Sequence, residues 1–319
     1  MIKNNKYFDL KSLDYFILAP QKSVIYQKLQ HPFADERQIE VVVKRLDLLH
    51  PVVQGNKFYK LHYNLKAAKA LGYTRVLTFG GAYSNHIHAT ALAAAANGLQ
   101  SIGIIRGEIV KPLNPTLEDA ERQGMIFYPM NRGDYRQKEN PSILENLKLQ
   151  FGDFYLIPEG GTNALAIKGT KEILAEQDLS MDFICTPIGT GGTFAGLVDS
   201  AKPEQHVIGF SALKGEFIFS EIEQLLQKYD ISPKCRYTIE TAYHFGGYAK
   251  HNPELITFIQ DLKEKAKLPV DPIYSGKMMF GLLDLIGKDY FPDGSKILVL
   301  HTGGLQGVRG FEQRLGIQL

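Results

Sequence analysis

From residue 39 to residue 300, short apolar runs rich in β-branched residues alternate with segments whose apolar positions recur every three or four residues. The runs predict strands at 39–44, 75–79, 101–105, 125–129, 154–157, 183–186, 207–210 and 297–300. The periodic segments predict helices over 57–71, 84–97, 114–123, 143–149, 164–177, from 193 through 197, and over 217–228, 253–267 and 276–286. Strands alternating with helices imply an α/β fold with a parallel sheet, and ligands at the C-terminal ends of its strands. Residues 1–38 carry short apolar and Pro-bearing stretches and are expected to form an arm over the core. No internal repeat or low-complexity tract interrupts the pattern.

Length and composition narrow this only moderately. A chain of 319 residues suits two domains or one large α/β domain. With 44% hydrophobic and 22% charged residues it reads as an ordinary soluble globular protein. A formal net charge of +2 gives no electrostatic case for a nucleic-acid or membrane partner. Two cysteines, Cys185 and Cys235, are too few for a disulfide framework or a zinc site of the usual ligand count. Cys185 lies in an apolar run and reads as a small buried hydrophobe. Residues 1–18 do not resemble a signal peptide, and no window approaches the roughly 20 apolar residues of a membrane span, so a cytoplasmic location is expected.

The candidate chemistry sits in the turns. In Gly55-Asn56-Lys57-Phe58-Tyr59-Lys60-Leu61, Gly55 suits a turn that needs positive φ, and Asn56 can cap the following helix. Lys57 then falls in the first helical turn, where the macrodipole disfavours a cation. It is either solvated and indifferent or has compensating work. Glycine turns follow strands at Gly80-Gly81, Gly160-Gly161, Gly189 to Thr193 and Gly303-Gly304. In the third, Gly189-Thr190-Gly191-Gly192-Thr193 can converge backbone N–H groups on a phosphate without cationic side chains, or can simply be a tight strand–helix turn. It has neither the dinucleotide G-x-G-x-x-G spacing with its acidic partner nor a P-loop Gly-Lys-Ser/Thr ending.

Ser84-Asn85-His86 opens the Ala-rich helix and offers either a carboxylate cradle or a plain N-cap. His86 and His88 lack the accompanying carboxylates or cysteines of a metal site, and no metal is expected. Tyr248 and Tyr274 occupy polar turns before helices, where each is a packing residue or a phenol aimed into a cleft. A serine-hydrolase reading fails for want of a G-x-S-x-G elbow.

Six motifs taken together carry a resemblance. Gly55 to Leu61, Gly80-Gly81-Ala82-Tyr83-Ser84-Asn85-His86, Pro158-Glu159-Gly160-Gly161-Thr162-Asn163, Gly189 to Thr193, Asp271-Pro272-Ile273-Tyr274-Ser275-Gly276-Lys277 and His301-Thr302-Gly303-Gly304 resemble, in order, the 1-aminocyclopropane-1-carboxylate deaminase / D-cysteine desulfhydrase family. These are pyridoxal-phosphate enzymes of the tryptophan-synthase-β type. The resemblance implies pyridoxal-phosphate fold type II, with two open twisted, mostly parallel sheets flanked by helices. It implies a large cofactor-binding domain of residues 1–59 plus 161–319, an inserted small α/β domain of residues 60–160, the cofactor in the cleft between them, and a homodimer.

By the same resemblance Lys57 holds pyridoxal 5′-phosphate as an imine, with Asn56 beside the cofactor. Gly189, Thr190, Gly191, Gly192 and Thr193 hold its phosphate, and Ser84, Asn85 and His86 face the substrate carboxylate. Tyr248 and Tyr274 match the family's two active-site tyrosines. Lys60 is not expected to be the imine lysine, because the family's lysine follows the asparagine directly. Ring-opening deaminases carry a glutamate after the second tyrosine, against the pyridine nitrogen. Here that residue is Ser275, with Thr302 a second hydroxyl for the same nitrogen. A hydroxyl stabilises a carbanion less than a carboxylate-protonated ring does, which fits β-elimination better than ring opening. The expected activity is therefore a lyase on a small amino acid, D-cysteine favoured, with Lys57, Ser84 or Tyr274 taking the Cα proton. Deamination of 1-aminocyclopropane-1-carboxylate and a catalytically silent homologue are the alternatives.

Overall fold

The computed structural model describes residues 23–51 and 53–319. Most of the expected N-terminal arm lies outside the described residues. The larger sheet is built from β1 (Ile25–Leu29), β2 (Glu40–Arg45), β7 (Phe183–Ile188), β8 (His206–Ser211), β9 (Arg236–Glu240) and β10 (Lys296–Leu300), in the order β1-β2-β10-β7-β8-β9. Only β1 runs antiparallel; β10 lies parallel between β2 and β7, pairing Val299 with both Val43 and Cys185.

The central strands read as continuous apolar runs because both of their faces are covered. Val42, Ile184 and Leu298 point to one side, into a core shared with Phe58, Leu61 and Leu65 of α2 (Asn56–Ala70), Ile167 of α7 (Ala164–Thr170) and Phe194 and Leu197 of α8 (Gly192–Ser200). Val41, Val43, Cys185, Ile297 and Val299 point to the other, against Leu255 and Ile259 of α10 (Pro253–Lys265) and Met278, Leu282 and Ile286 of α11 (Ser275–Gly287). This alternation is the two-residue period of a strand. Cys185 is buried and free, and burial raises its thiol pKa.

The smaller sheet is wholly parallel. Its strands β3 (Arg75–Gly80), β4 (Gln100–Arg106), β5 (Ile126–Met130) and β6 (Tyr155–Ile157) lie in the order β5-β4-β3-β6. Ile87 and Ala91 of α3 (Asn85–Ala96) and Leu117 of α4 (Pro115–Arg122) cover one face, and Tyr135 and Leu147 the other. The two expected domain boundaries fall within α2 and within the Glu159–Gly161 turn.

One predicted element needs correction. The helix expected over 164–177 ends at Thr170, and the chain continues as tight turns at Lys171–Ile173 and Glu176–Ser180. The break turns Asp178 inward, where its carboxylate meets the buried Lys44 ammonium and accepts the Ala175 N–H at 2.8 Å. A straight helix could not deliver that counter-charge, and a buried cation without one is costly. Asn56 also differs from expectation. Gly55, at φ 64°, is the N-cap of α2, and the Asn56 side chain caps nothing. Elements not predicted are β1, β9, α1 (Pro32–Glu36), α5 (Arg132–Arg136) and α12 (Gln306–Leu315). All are short or largely polar. Among the described residues no helix is long and apolar enough to cross a membrane.

Candidate active site

Strands β2, β3, β7 and β10 each lead, at their C-terminal ends, toward the start of a helix: α2, α3, α8 and α12. The N-termini of these helices line one cleft of about 760 Å³, as do Gly160, Tyr248 and Tyr274. In parallel α/β architecture this edge collects the uncapped N–H groups and positive dipole ends that attract anions.

Backbone approach dictates the entry to α2. A Cβ on Gly55 would lie 1.9 Å from the Thr302 carbonyl oxygen, so only glycine lets the 301–304 turn seat against α2. The Asn56 N–H donates to that same carbonyl at 3.2 Å. Lys57 follows, lining the cleft, and its ammonium donates to Asn56 Oδ1 at 3.2 Å. Among the described residues it has no carboxylate within ion-pair reach, and desolvation lowers its pKa to about 8. The Asn56 amide is itself held by donation to Thr193 Oγ1 at 2.9 Å, which ties α2 to the first turn of α8.

One turn further, Lys60 is buried, and its Nζ donates to Gly160 O (2.6 Å), Thr162 Oγ1 (2.9 Å) and Thr190 Oγ1 (3.3 Å). Burial, and then the neighbouring charge of Lys57, hold its pKa well below the ordinary value. The turn from 189 to 193 lies against it. Gly191 is left-handed (φ 77°), α8 begins without a capping side chain, and a Cβ on Gly192 would meet Lys60 Cε at 3.0 Å. Two lysines with no counter-ion among the described residues, beside a helix N-terminus without a capping side chain, form a cradle for a strongly charged anion such as a phosphate.

Ser84 caps α3, its Oγ accepting from His86 N–H (3.2 Å) and Ile87 N–H (3.3 Å). Those two donors are thus occupied, and the α3 terminus offers the cleft the Ser84 hydroxyl proton, the Asn85 N–H and the Asn85 amide. The His86 ring is buried. Its Nε2 lies 2.8 Å from Thr78 Oγ1, whose own proton goes to Ile157 O at 2.8 Å, so Nε2 is the donor and Nδ1 carries a bare lone pair. Desolvation, with the charges of Lys57 and Lys60, keeps this ring neutral.

Tyr274 immediately precedes α11, and its ring lies against Gly189, where a Cβ would come within 3.1 Å. Tyr248 stands edge-on to it, ring centroids 6.0 Å apart. Desolvation pushes both phenol pKa values up, Tyr274 well above the ordinary value, although Tyr248 is 47% exposed at the cleft mouth. Ser275 and Thr302 occupy different surroundings. Thr302 lines the cleft, whereas Ser275 is sealed behind it with its hydroxyl unpartnered. The neighbouring Asp271 carboxylate is consumed by the N–H groups of Ile273, Tyr274 and Ser275 at 2.7–2.9 Å.

All the predicted site residues except Ser275 therefore line one cleft. Several further ones had no signal of their own. Lys277, buried in α11, donates to the carbonyls of His244 (2.8 Å) and Gly247 (2.7 Å) and so anchors the loop that presents Tyr248. Glu159 is tied to Lys138 (3.0 Å) and Tyr135 (2.8 Å). Asp119 is paired with Arg309 and with His88 (3.3 Å). Gln306 lies two residues after the last glycine turn, a proximity that could have marked it. Among the described residues no cluster of His, Cys, Asp or Glu is placed to hold a metal ion.

A twin-sheet α/β protein with a lysine at the strand–helix edge and a phosphate cradle beside it defines a class, the lysine-anchored pyridoxal-phosphate enzymes. Residues 28–303 match the family of pyridoxal-phosphate dependent enzymes, and the chain belongs to that family. A candidate 1-aminocyclopropane-1-carboxylate deaminase of Pyrococcus abyssi is 31% identical over 288 residues, covering 86% of this chain and 87% of its own. The mitochondrial bifunctional D-cysteine desulfhydrase/1-aminocyclopropane-1-carboxylate deaminase of Arabidopsis thaliana is 30% identical, covering 84% of this chain and 73% of its own. Among solved structures, an ACC deaminase homologue superposes with a TM-score of 0.78 at 28% identity over 94% of both chains. A serine racemase from Dictyostelium discoideum, at 16% identity and a TM-score of 0.59 over 89% of this chain and 92% of its own, shares the fold. The protein is a pyridoxal-phosphate-dependent enzyme of fold type II.

Proposed function

We propose that the protein is a lyase that eliminates the β-substituent of a small amino acid, with D-cysteine plus water giving pyruvate, ammonia and sulfide. The observation that carries this is the residue after Tyr274. Ser275 brings a hydroxyl rather than a carboxylate, and the nearest acid, Asp271, is spent on capping α11. Among the described residues the other acids lining the cleft, Asp119 and Glu159, are paired with Arg309 and Lys138, and Thr302 faces the cleft with a hydroxyl, a neutral contact for a pyridine nitrogen. When bound, pyridoxal phosphate supplies the electron-withdrawing ring that makes the substrate Cα–H acidic.

In this reading Lys57 holds the cofactor. Asn56 lies beside it, and Gly189 to Thr193 take its phosphate, with Lys60 adding the positive charge. Once released by the substrate amine, Lys57, whose pKa desolvation lowers, takes the Cα proton, with the Ser84 hydroxyl as the alternative base. Tyr274 and Tyr248 stay protonated, because desolvation raises both. A phenol held protonated can donate a hydrogen bond but is a weak proton donor, so Tyr274 is assigned to hydrogen-bonding the departing sulfur as the Cβ–S bond breaks, the sulfide taking its proton from water. Ser84 and Asn85 receive the substrate carboxylate, and His86 supports that wall as a neutral ring. The proposal includes a cytoplasmic homodimer, with residues 1–59 plus 161–319 as the large domain and 60–160 as the inserted one.

The test is product release from D-cysteine and from 1-aminocyclopropane-1-carboxylate by the purified holoenzyme. Sulfide and pyruvate from D-cysteine alone support the proposal. Ammonia from the cyclopropane compound alone favours the deaminase reading, and Ser275→Glu should shift activity toward it. A cofactor-loaded protein inactive on a panel of D- and L-amino acids would mark a silent homologue.

A further inference from the structure

Gln306, the first residue of α12, is absent from the chemistry described so far, yet it lines the cleft and touches the one side-chain amide in the proposed carboxylate cradle. Its Nε2 donates to Asn85 Oδ1. Its Oε1 in turn accepts the Thr116 hydroxyl of α4 at 3.2 Å. The chain of bonds has a direction. Thr116 gives its proton to the Gln306 oxygen, which turns the Gln306 amide nitrogen toward Asn85. That nitrogen claims the Asn85 oxygen and leaves Asn85 Nδ2 as the group free to donate. No protein acceptor meets Asn85 Nδ2 among the described residues. The space beside it is kept open by Gly304, where a Cβ would lie 2.9 Å from Nδ2.

We propose that Gln306 is a positioning residue for substrate binding: it fixes the Asn85 amide so that a donor, not an acceptor, faces the carboxylate of the incoming amino acid. An unconstrained asparagine presents oxygen and nitrogen interchangeably, and an oxygen turned toward a carboxylate repels it. The fixed orientation matters more here because Ser84 already occupies the His86 and Ile87 N–H groups, leaving few donors at the α3 terminus. The bond also runs from α12 to helices of the smaller sheet, so carboxylate recognition depends on both parts of the fold. The inference rests on the reading that Asn85 meets the substrate carboxylate.

The experiment titrates the holoenzyme's cofactor absorbance with D- or L-alanine, which has a carboxylate and no leaving group, and with ethylamine, the same amine without the carboxylate. Gln306→Ala should weaken alanine binding about tenfold, the worth of one charge-assisted hydrogen bond, and leave ethylamine within about twofold. Gln306→Glu should weaken alanine more than Gln306→Ala, because a carboxylate can only accept and turns the Asn85 oxygen into the cleft. In an Asn85→Ala background, Gln306→Ala should have no further effect on alanine. Native alanine affinity in both Gln306 variants, or equal losses for alanine and ethylamine, overturns the proposal. An Asn85→Ala protein that binds alanine like the native enzyme overturns the underlying reading of the cradle instead. Should Gln306→Ala not fold, Gln306→Glu and Thr116→Val, the latter expected to weaken alanine about threefold, decide the matter in the same titration.

Discussion

Among the described residues Lys57 has no carboxylate partner, and adding one should suppress its reactivity. Desolvation alone lowers its pKa to about 8 from 10.5, and its nearest polar neighbour is the neutral Asn56 Oδ1 at 3.2 Å. At pH 7 this makes about a tenth of the amines neutral and nucleophilic, roughly 300-fold more than for an ordinary lysine. Asn56→Asp places a carboxylate where Oδ1 now stands. At 3.2 Å and an effective dielectric of about 20 the attraction amounts to about 5 kcal/mol before desolvation of the new charge, and close pairs of this kind move a pKa by about 1–3 units. Capture of pyridoxal phosphate by the apoprotein should therefore slow at least tenfold at pH 7. The assay is the rate at which the bound-cofactor absorbance appears, followed from about pH 6 to pH 10. In the native protein the rate should rise tenfold per pH unit and level off near pH 8, whereas in Asn56→Asp the midpoint should lie at least one unit higher. A shared midpoint, or a native midpoint near 10.5, would refute the desolvation account.

Other perturbations separate cradle, loop and core. Lys60→Met should raise the dissociation constant for pyridoxal phosphate about 10- to 100-fold in equilibrium dialysis, while the cofactor still attaches to Lys57 at saturation. Lys277→Met removes two donors from the 244–247 loop and should cost about 1–3 kcal/mol in denaturant melts. The pH dependence of that change is signed. Burial lowers the folded-state pKa of Lys277 to about 8, so between about 8 and 10.5 the unfolded chain binds the extra proton and stability rises with pH. In Lys277→Met that slope should shrink by about 1.4 kcal/mol per pH unit. Gly169→Ala would put a Cβ 2.1 Å from the Tyr59 carbonyl oxygen, where α7 crosses α2, and should lower stability by about 2 kcal/mol or more.

The buried strands and glycine turns were legible because their constraints are local. A run such as 297–300 is apolar because both its faces are covered, and the glycine at 55 is demanded by a carbonyl that leaves no room for a Cβ. The placement of Lys57 at a helix start was legible for the same reason. What long-range pairing decides was not. The end of α7 at Thr170 follows from Lys44, 134 residues from the Asp178 it must meet. In α12 the helical spacing of Val308, Phe311 and Leu315 was there to be read, but the reach of Gln306 to Asn85 across 221 positions was not. The motif at 271–277 supplied Tyr274 and Ser275 but not their difference in access, which depends on how α11 is rotated against the cleft.

The most direct test of the whole account is the visible spectrum of the purified holoenzyme as D-cysteine is added, with sulfide and pyruvate measured in the same cuvette. The account predicts a bound-cofactor band that D-cysteine perturbs while both products accumulate, and a Lys57→Ala protein that shows neither lysine-fixed cofactor after borohydride nor product. A Lys57→Ala protein that keeps borohydride-fixable cofactor, or a native protein whose band is unmoved by D-cysteine and yields no sulfide, would contradict it.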